Sequence, residues 1–312
     1  MGINKSSFTF TSVTGLADIF VTHWRPQEES NIKGTVQIAH GMAEHIERYD
    51  GFASYLAENG YAVFGNDHIG HGKSVNDENE KGFFGHDNFG GAAFVEDCKK
   101  LHDIITDKYK NTPSFFFGHS MGSFIARRFS AKYGEELKGV VYCGTSGANP
   151  AAGIAVKLAQ LMTKFNGDHF KSSLIDNLAF GPYSKKFEKR TTFDWLTRDN
   201  QIVDKYIKDP NCGFLFTTVG YGDLFSLLAE SNKKEWFASV PQKLPILIIS
   251  GAMDPVGNYG KGIAQVVKNL KDTDHKITEK LYADSRHEIL NELNKEDVYK
   301  DVLGWFNSIV EK

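Results

Sequence analysis

The pentapeptide Gly118-His119-Ser120-Met121-Gly122 decides the fold of this 312-residue chain. It follows an apolar run over residues 114–117 and precedes a helical pattern over residues 121–133. A G-x-S-x-G sequence between a strand and a helix is typical of a tight turn that presents a nucleophilic serine. The glycines let strand and helix pass closely, and the helix dipole favours negative charge beside the serine. Ser120 is therefore the predicted nucleophile.

A nucleophilic serine needs a base, and the base needs a group that orients it. Residues 245–251 form an apolar run typical of a buried strand, and Asp254 follows it. Residues 276–283 alternate like a strand, and His287 follows them. Because α/β sheets carry their chemistry at the carboxyl ends of strands, we predict Asp254 as the acid and His287 as the base. Taken singly, each could be a turn former or a surface residue.

The sequence also contains a candidate oxyanion hole. Residues 35–39 read as a strand, and His40-Gly41-Met42 follows. A His-Gly turn after an early strand can supply one backbone N–H, here that of Met42, and the residue after the nucleophile, Met121, supplies the other. The alternative is that Gly41 only ends a strand.

The order of the predicted elements indicates the fold class. Strands and helices alternate over residues 35–144 after an N-terminal hairpin, which predicts an α/β fold with a doubly wound, mostly parallel sheet. Residues 146–240 show helical patterns without a buried strand, over a length that no ordinary loop has. We therefore expect a core of residues 1–145 and 241–312 with an inserted helical cap of residues 146–240. The aromatic side chains of this cap could line a tunnel for an acyl chain or only pack the cap onto the sheet.

These motifs resemble those of the α/β-hydrolase superfamily, in the monoacylglycerol lipase and lysophospholipase branch, which is also called the serine aminopeptidase S33 group. The resemblance extends from about residue 10 to the C-terminus. It is carried by the G-H-S-M-G pentapeptide and by five further segments: residues 40–49, 66–74, 196–210, 251–254 and 286–288. It implies a serine hydrolase that cleaves carboxylic esters of medium or long acyl chains through an acyl-enzyme.

The resemblance further implies that Glu44 and Arg48 bind the polar end of the substrate, and His119 is a third predicted substrate-binding residue. Glu44 could equally be an ordinary residue of a helix N-terminus. In this branch a second polar residue often stands three positions after the catalytic histidine, but here that position is Leu290. This departure leaves Asn291 or Glu292 as possible substitutes and puts the glycerol contact in doubt.

Composition excludes several classes of function. The net charge of −3 argues against nucleic acid as a partner, and no apolar stretch is long enough for a membrane span. Three cysteines and the absence of an apolar leader predict a cytoplasmic protein. The predicted partner is a small-molecule or lipid ester, with at most peripheral membrane contact through the cap. No cofactor is predicted, and no metal, because no His or Cys cluster with ligand spacing is evident.

Three other functions stay open. The same fold could serve as a small-ester or aryl esterase, or as a proline-type aminopeptidase or amidase, which needs acidic residues for the substrate amine. Among the acids of the cap, Asp168, Asp176, Glu188, Asp194 and Asp199 show no obvious pair. A non-catalytic binder of hydrophobic ligands would be expected only if the triad were broken.

Overall fold

The computed structural model describes residues 2–86 and 91–311. Eight strands within these residues form one sheet. They are β1 (Ile3–Thr11), β2 (Asp18–Pro26), β3 (Gly34–Ala39), β4 (Tyr61–Asn66), β5 (Ser114–His119), β6 (Gly139–Cys143), β7 (Ile246–Gly251) and β8 (Ile277–Tyr282). The sequence predicts that the first strand of the hairpin begins at Phe8, but β1 begins five residues earlier, at Ile3. The prediction missed these residues because they are mostly exposed and lack an apolar pattern.

The sheet is mixed but mostly parallel, as the sequence predicted. Its strand order is β1-β2-β4-β3-β5-β6-β7-β8. β2 runs antiparallel to both β1 and β4, and every other neighbouring pair is parallel. The strands β3 to β7 are buried along their whole length, which explains why they read as continuous apolar runs.

Ten α-helices accompany the sheet in the described residues. They are α1 (Asp50–Glu58), α2 (Ala92–Lys108), α3 (Met121–Tyr133), α4 (Ala152–Asn166), α5 (Ser173–Phe180), α6 (Asn200–Lys208), α7 (Thr218–Glu230), α8 (Lys234–Ser239), α9 (Lys261–Lys271) and α10 (Lys295–Val310). None of the helices in the described ranges is both long and apolar enough to cross a lipid bilayer.

Helices cover both faces of the sheet. Phe116 of β5 belongs to a core cluster with residues of α2, α3 and α9, whereas its neighbours Phe115 and Phe117 belong to a second cluster with residues of α1 and α10. Successive side chains of a strand point to opposite faces, so β5 contributes side chains to both core clusters. This arrangement is the doubly wound α/β fold.

Residues 146–240 interrupt the alternation between β6 and β7. This segment contains α4 to α8, and its only described strand-like pairing is an isolated bridge between Lys171 and Thr217. The sequence patterns predict helices over residues 151–165, 200–208 and 217–231, which match α4, α6 and α7 to within one residue. They do not predict α5 and α8, which are only eight and six residues long. That this segment is a cap over the site stays a prediction.

Candidate active site

Ser120 lies at a strained turn between β5 and α3. Its φ of 53° and ψ of −119° are unusual for a residue with a side chain. The flanking glycines are sterically required: a Cβ on Gly118 would lie 2.1 Å from the carbonyl oxygen of Gly122, and one on Gly122 would lie 2.1 Å from that of Ala39. The sequence therefore folds here as an exposed corner, with Ser120 only partly buried.

Asp254 and His287 form a buried pair. His287 Nδ1 donates a hydrogen bond of 2.9 Å to Asp254 Oδ2. The same carboxylate accepts from the Ser250 hydroxyl at 3.2 Å and from the Val256 N–H at 2.8 Å. Both members of the pair are almost inaccessible to solvent. The carboxylate thus has a fixed orientation and holds the imidazole with its Nδ1 protonated.

One cavity brings the predicted residues together. It has a volume of about 1130 Å³, and its wall includes both Ser120 and His287. No hydrogen bond within the described residues joins the Ser120 hydroxyl to His287. Nucleophile–base bonds are often loose without substrate and tighten in the complex, so the shared wall is the relevant geometry.

The residues predicted for the oxyanion hole line the same cavity. Met42 and Met121 both belong to its wall. In the part of the chain that the structure describes, neither backbone N–H donates to another residue. Two such free donors beside a nucleophile can hold the oxygen of a tetrahedral intermediate.

Glu44, Arg48 and His119 belong to one cluster of side chains, in which they mainly contact each other and their neighbours. The guanidinium of Arg48 donates to Glu44 Oε2 and to both carboxylate oxygens of Glu288, at 2.7 and 2.6 Å. The Tyr49 hydroxyl donates to Glu44 at 2.7 Å and lies 2.9 Å from His119 Nδ1. Glu44 and His119 line the large cavity, whereas Arg48 does not.

The charges of this cluster shift the pKa of its members. Burial alone would raise the pKa of Glu44, but the Arg48 guanidinium holds it well below its usual range. Burial alone would lower the pKa of Arg48, but Glu288 and then Glu44 raise it well above its usual range. Burial also opposes protonation of His119, but its contact with Glu44 raises its pKa. Paired charges stay ionised here because their partners replace the lost water.

The position that departs from the family pattern lies outside the large cavity. Leu290 and Asn291 line a separate small cavity of about 10 Å³, together with Arg48 and Glu288. Glu292 is buried and accepts from Arg198 Nε at 2.9 Å. Neither Asn291 nor Glu292 therefore reaches the wall of the large cavity.

Sequence reasoning did not identify two residues of the site. Glu288 lines the large cavity and pairs with Arg48, and the Trp195 ring lies 5.1 Å from that of His287. The only signal for Glu288 was its place next to His287. No signal in the sequence distinguished Trp195 from the other aromatic residues of the segment.

One group of side chains in the described residues could hold a metal ion. The ligand atoms of His45, Asp209 and Cys212 lie within 4.8 Å of one another. His45 Nε2 already lies 2.9 Å from Asp209 Oδ2, and this contact joins the turn after β3 to the end of α6. The absence of a metal stays a prediction.

The geometry defines a class: an α/β fold with serine, histidine and aspartate at the carboxyl edge of its sheet. The family described as serine aminopeptidase S33 matches residues 30–294, and the chain belongs to this family. The predicted α/β-hydrolase of the monoacylglycerol lipase branch is thereby confirmed, as is the class of carboxylic ester hydrolase.

Similar proteins span almost the whole chain. The monoacylglycerol lipase of Mycolicibacterium smegmatis is 26% identical over 97% of this chain and 98% of its own length. The mouse monoglyceride lipase is 27% identical, over 94% of this chain and 86% of its own. A thermostable carboxyl esterase from Bacillus coagulans, solved in complex with glycerol, has a TM-score of 0.92 and 30% identity, and the match covers 98% of this chain and 99% of that one.

Proposed function

We propose that this protein hydrolyses esters of medium or long acyl chains, monoacylglycerols or lysophospholipids foremost, with Ser120, His287 and Asp254 as its catalytic triad. The observation that carries the proposal is the single cavity that contains Ser120 and His287, behind which Asp254 is hydrogen-bonded to His287 Nδ1. The similarity to monoacylglycerol lipases from a bacterium and a mammal supports the substrate class.

The reaction follows from the roles of these side chains. The Ser120 hydroxyl oxygen attacks the ester carbonyl while His287 Nε2 accepts its proton, and Asp254 stabilises the resulting imidazolium. The N–H groups of Met42 and Met121 hold the oxyanion, at about 3 kcal/mol each. The C–O bond to the alcohol breaks, and His287 returns the proton to the leaving oxygen. Water then attacks the acyl-enzyme by the same route in reverse and releases the acid.

The cavity supports a long acyl group. Its volume of about 1130 Å³ is at the upper end for small-molecule sites. Residues 146–240 supply much of its apolar wall: Ala155, Leu158, Ile175, Phe180, Phe214, Leu224, Phe225 and Leu228. We propose that this segment is the cap over the site, and that each methylene it buries contributes about 0.8 kcal/mol to binding.

The contacts of the acidic side chains in the cap favour an ester over an aminoacyl substrate. Four of the acids named above are engaged elsewhere: Asp168 with His86, Glu188 with Arg286, Asp194 with Thr191, and Asp199 as the N-cap of α6. Of all the acids in residues 146–240, only Asp176 lines the cavity, where it accepts from the Tyr221 hydroxyl at 2.7 Å. A substrate amine therefore finds no pair of free carboxylates contributed by this segment.

The exposed apolar face of α4 and α5 supports contact with lipid aggregates. Leu161 is 52% exposed, Phe165 77% and Leu174 57%. These three side chains do not line the cavity, so they are available to an interface. We propose a peripheral contact only.

The predicted cytoplasmic location is supported by three cysteines that are all free.

Two measurements test the function. Ser120→Ala should lower ester hydrolysis by at least about a thousandfold, and a fluorophosphonate probe should label wild type but not the variant. A series of glycerol esters with four to sixteen acyl carbons should show kcat/KM rising with chain length. Retained hydrolysis in Ser120→Ala would overturn the mechanism, whereas a flat series would leave a small-ester or aryl esterase.

A further inference from the structure

A single buried guanidinium connects two loops of the site. Arg48 donates to Glu44, which follows the turn of the proposed oxyanion hole, and to both carboxylate oxygens of Glu288, which directly follows His287. Forked, charge-assisted bonds of this kind fix geometry as well as adding energy. The three side chains therefore form one rigid connection between the loop that carries Met42 and the loop that carries His287.

At one end the connection reaches the peptide beside the oxyanion donor. Glu44 Oε1 accepts from the Gly41 N–H at 2.5 Å, and the adjacent peptide carries the N–H of Met42. The same oxygen accepts from the Tyr49 hydroxyl. Glu44 is only 3% exposed, so these bonds are not shared with bulk water. The orientation of the Met42 N–H thus depends on Glu44.

At the other end the connection reaches the catalytic base. The Glu288 N–H donates to the Leu196 carbonyl at 2.7 Å, and its carboxylate also accepts from Asn291 Nδ2 at 3.0 Å. A second route runs from Tyr49 to His119, whose Nε2 donates to the His287 carbonyl at 3.3 Å. His119 in turn directly precedes Ser120.

The same contacts argue against Arg48 as a ligand of the substrate alcohol. Both of its terminal nitrogens are used by carboxylates, and its guanidinium lies 4.8 Å from the centre of the Tyr206 ring. Arg48 borders the small cavity of about 10 Å³ rather than the large one. An alcohol bound in the large cavity therefore does not meet the guanidinium of Arg48.

We propose that Glu288 is a positioning residue. Through Arg48 and Glu44, it holds the N–H of Met42 and the imidazole of His287 at a fixed distance and orientation to each other. This inference rests on the proposed function. Both loops must act on the same tetrahedral centre, and a misplacement of about 1 Å can cost a hundredfold in rate. Glu288 therefore serves every substrate equally and does not select the alcohol.

The test uses Glu288→Gln, which keeps the shape of the side chain and removes its charge. Three esters with one acyl chain are compared: the glycerol, methyl and p-nitrophenyl esters. We expect kcat/KM to fall by the same factor for all three, about 10- to 100-fold. A loss confined to the glycerol ester would assign Glu288 to head-group binding and overturn the inference, as would unchanged rates.

Matched controls separate positioning from a loss of folded protein. Asp97→Asn also converts a buried carboxylate to an amide, but Asp97 contacts the N-terminal hairpin through Ser12 and Val13. It should keep full kcat/KM. Rates are normalised by fluorophosphonate titration of active serines, so a merely structural role would leave the normalised values at wild type.

A double-mutant cycle provides a second reading. Arg48→Gln combined with Glu288→Gln should lose no more than either single change, because both break one connection. If Glu288→Gln does not fold, Tyr49→Phe, which removes one hydroxyl of the second route, should still lower all three rates equally. Inactivity of wild type on all three esters would instead overturn the proposed function, and this inference with it.

Discussion

At the scale of single residues, the turn around Ser120 tolerates few substitutions. Ser120 adopts a positive φ, and the glycines on either side have no room for a Cβ. The glycine positions could be read from the sequence, because only the smallest residue lets β5, β3 and α3 meet. The distances that forbid a side chain appear only in the folded chain.

Gly122→Ala should be severely damaging. The added Cβ would lie 2.1 Å from the carbonyl oxygen of Ala39. This oxygen belongs to the backbone of β3, so it cannot move aside as the end of a flexible side chain could. We expect a loss of about 2 kcal/mol or more in the free energy of unfolding, measured by urea denaturation, and a collapse of kcat. The matched control is Gly153→Ala in α4, where no atom lies within 4 Å of the added Cβ. It should gain about 0.5–1 kcal/mol. Equal effects of the two changes would contradict this account.

At the scale of elements, one buried carboxylate joins α2 to the N-terminal hairpin. Asp97 accepts from the Ser12 hydroxyl at 2.8 Å and from the Val13 N–H at 2.7 Å. Burial nevertheless raises the pKa of Asp97 to about 6. The folded protein therefore binds this proton more tightly than the unfolded chain does.

Asp97→Asn should change how stability depends on pH. Because the folded pKa is raised, the contribution of Asp97 is fully present below about pH 4 and is lost as the pH rises through about 6. Relative to wild type, the variant should gain about 2–3 kcal/mol in the free energy of unfolding between pH 4 and pH 7. Urea titrations of both proteins at four pH values measure the difference. A difference independent of pH would mean that the carboxyl titrates normally.

The exposed face of α4 gives a second prediction at this scale. Leu161→Ser and Phe165→Ser remove apolar surface that is 52% and 77% exposed. They should lower activity on emulsified or vesicle-bound substrate several-fold, because less apolar area enters the lipid interface. Hydrolysis of a dissolved short-chain ester should be unchanged. If activity fell equally in both assays, these side chains would instead contribute to the packing of the protein itself.

At the scale of the whole molecule, buried neutral histidines make the fold sensitive to acid. Burial, first among the causes, lowers the pKa of His23, His40 and His71 to about 3. These residues lie in β2, after β3 and after β4, so protonation would strain one half of the sheet. The unfolded chain binds these protons near pH 6.5.

Stability should therefore fall on acidification. A depressed histidine pKa contributes stability that is complete above about pH 6.5 and is lost as the pH falls towards 3, at up to about 1.4 kcal/mol per pH unit and group. Denaturant unfolding at pH 7.5, 6 and 5 should show the decline. His23→Phe, which can keep the stacking on Phe64 at a ring distance of 3.9 Å, should reduce the slope. An equal slope in the variant would show that His23 titrates normally.

The sequence by itself determined the candidate catalytic residues, each in a single turn after a strand. Local patterns placed Ser120, Asp254 and His287 after strands, and parallel strands bring their carboxyl ends to one edge. The strands and the helices α1 to α4, α6 and α7 were predicted for the same reason, since a period of two or 3.6 residues is a local property, whereas α9 was not predicted. Short or exposed elements such as α5 and the start of β1 have no such period, and they were not predicted.

Only the tertiary structure decided which side chains pair. Glu44 and Glu288 lie 244 positions apart and nevertheless share the guanidinium of Arg48. No local pattern encodes such a contact, because it arises when separate loops converge at the end of a sheet. The fold also joins Glu44 and Arg48, both predicted to bind the substrate, in one buried ion cluster, and it places Leu290 outside the large cavity. A buried charge without a partner is costly, so it pairs with an opposite charge that is close in the folded structure, and that partner can lie anywhere along the chain.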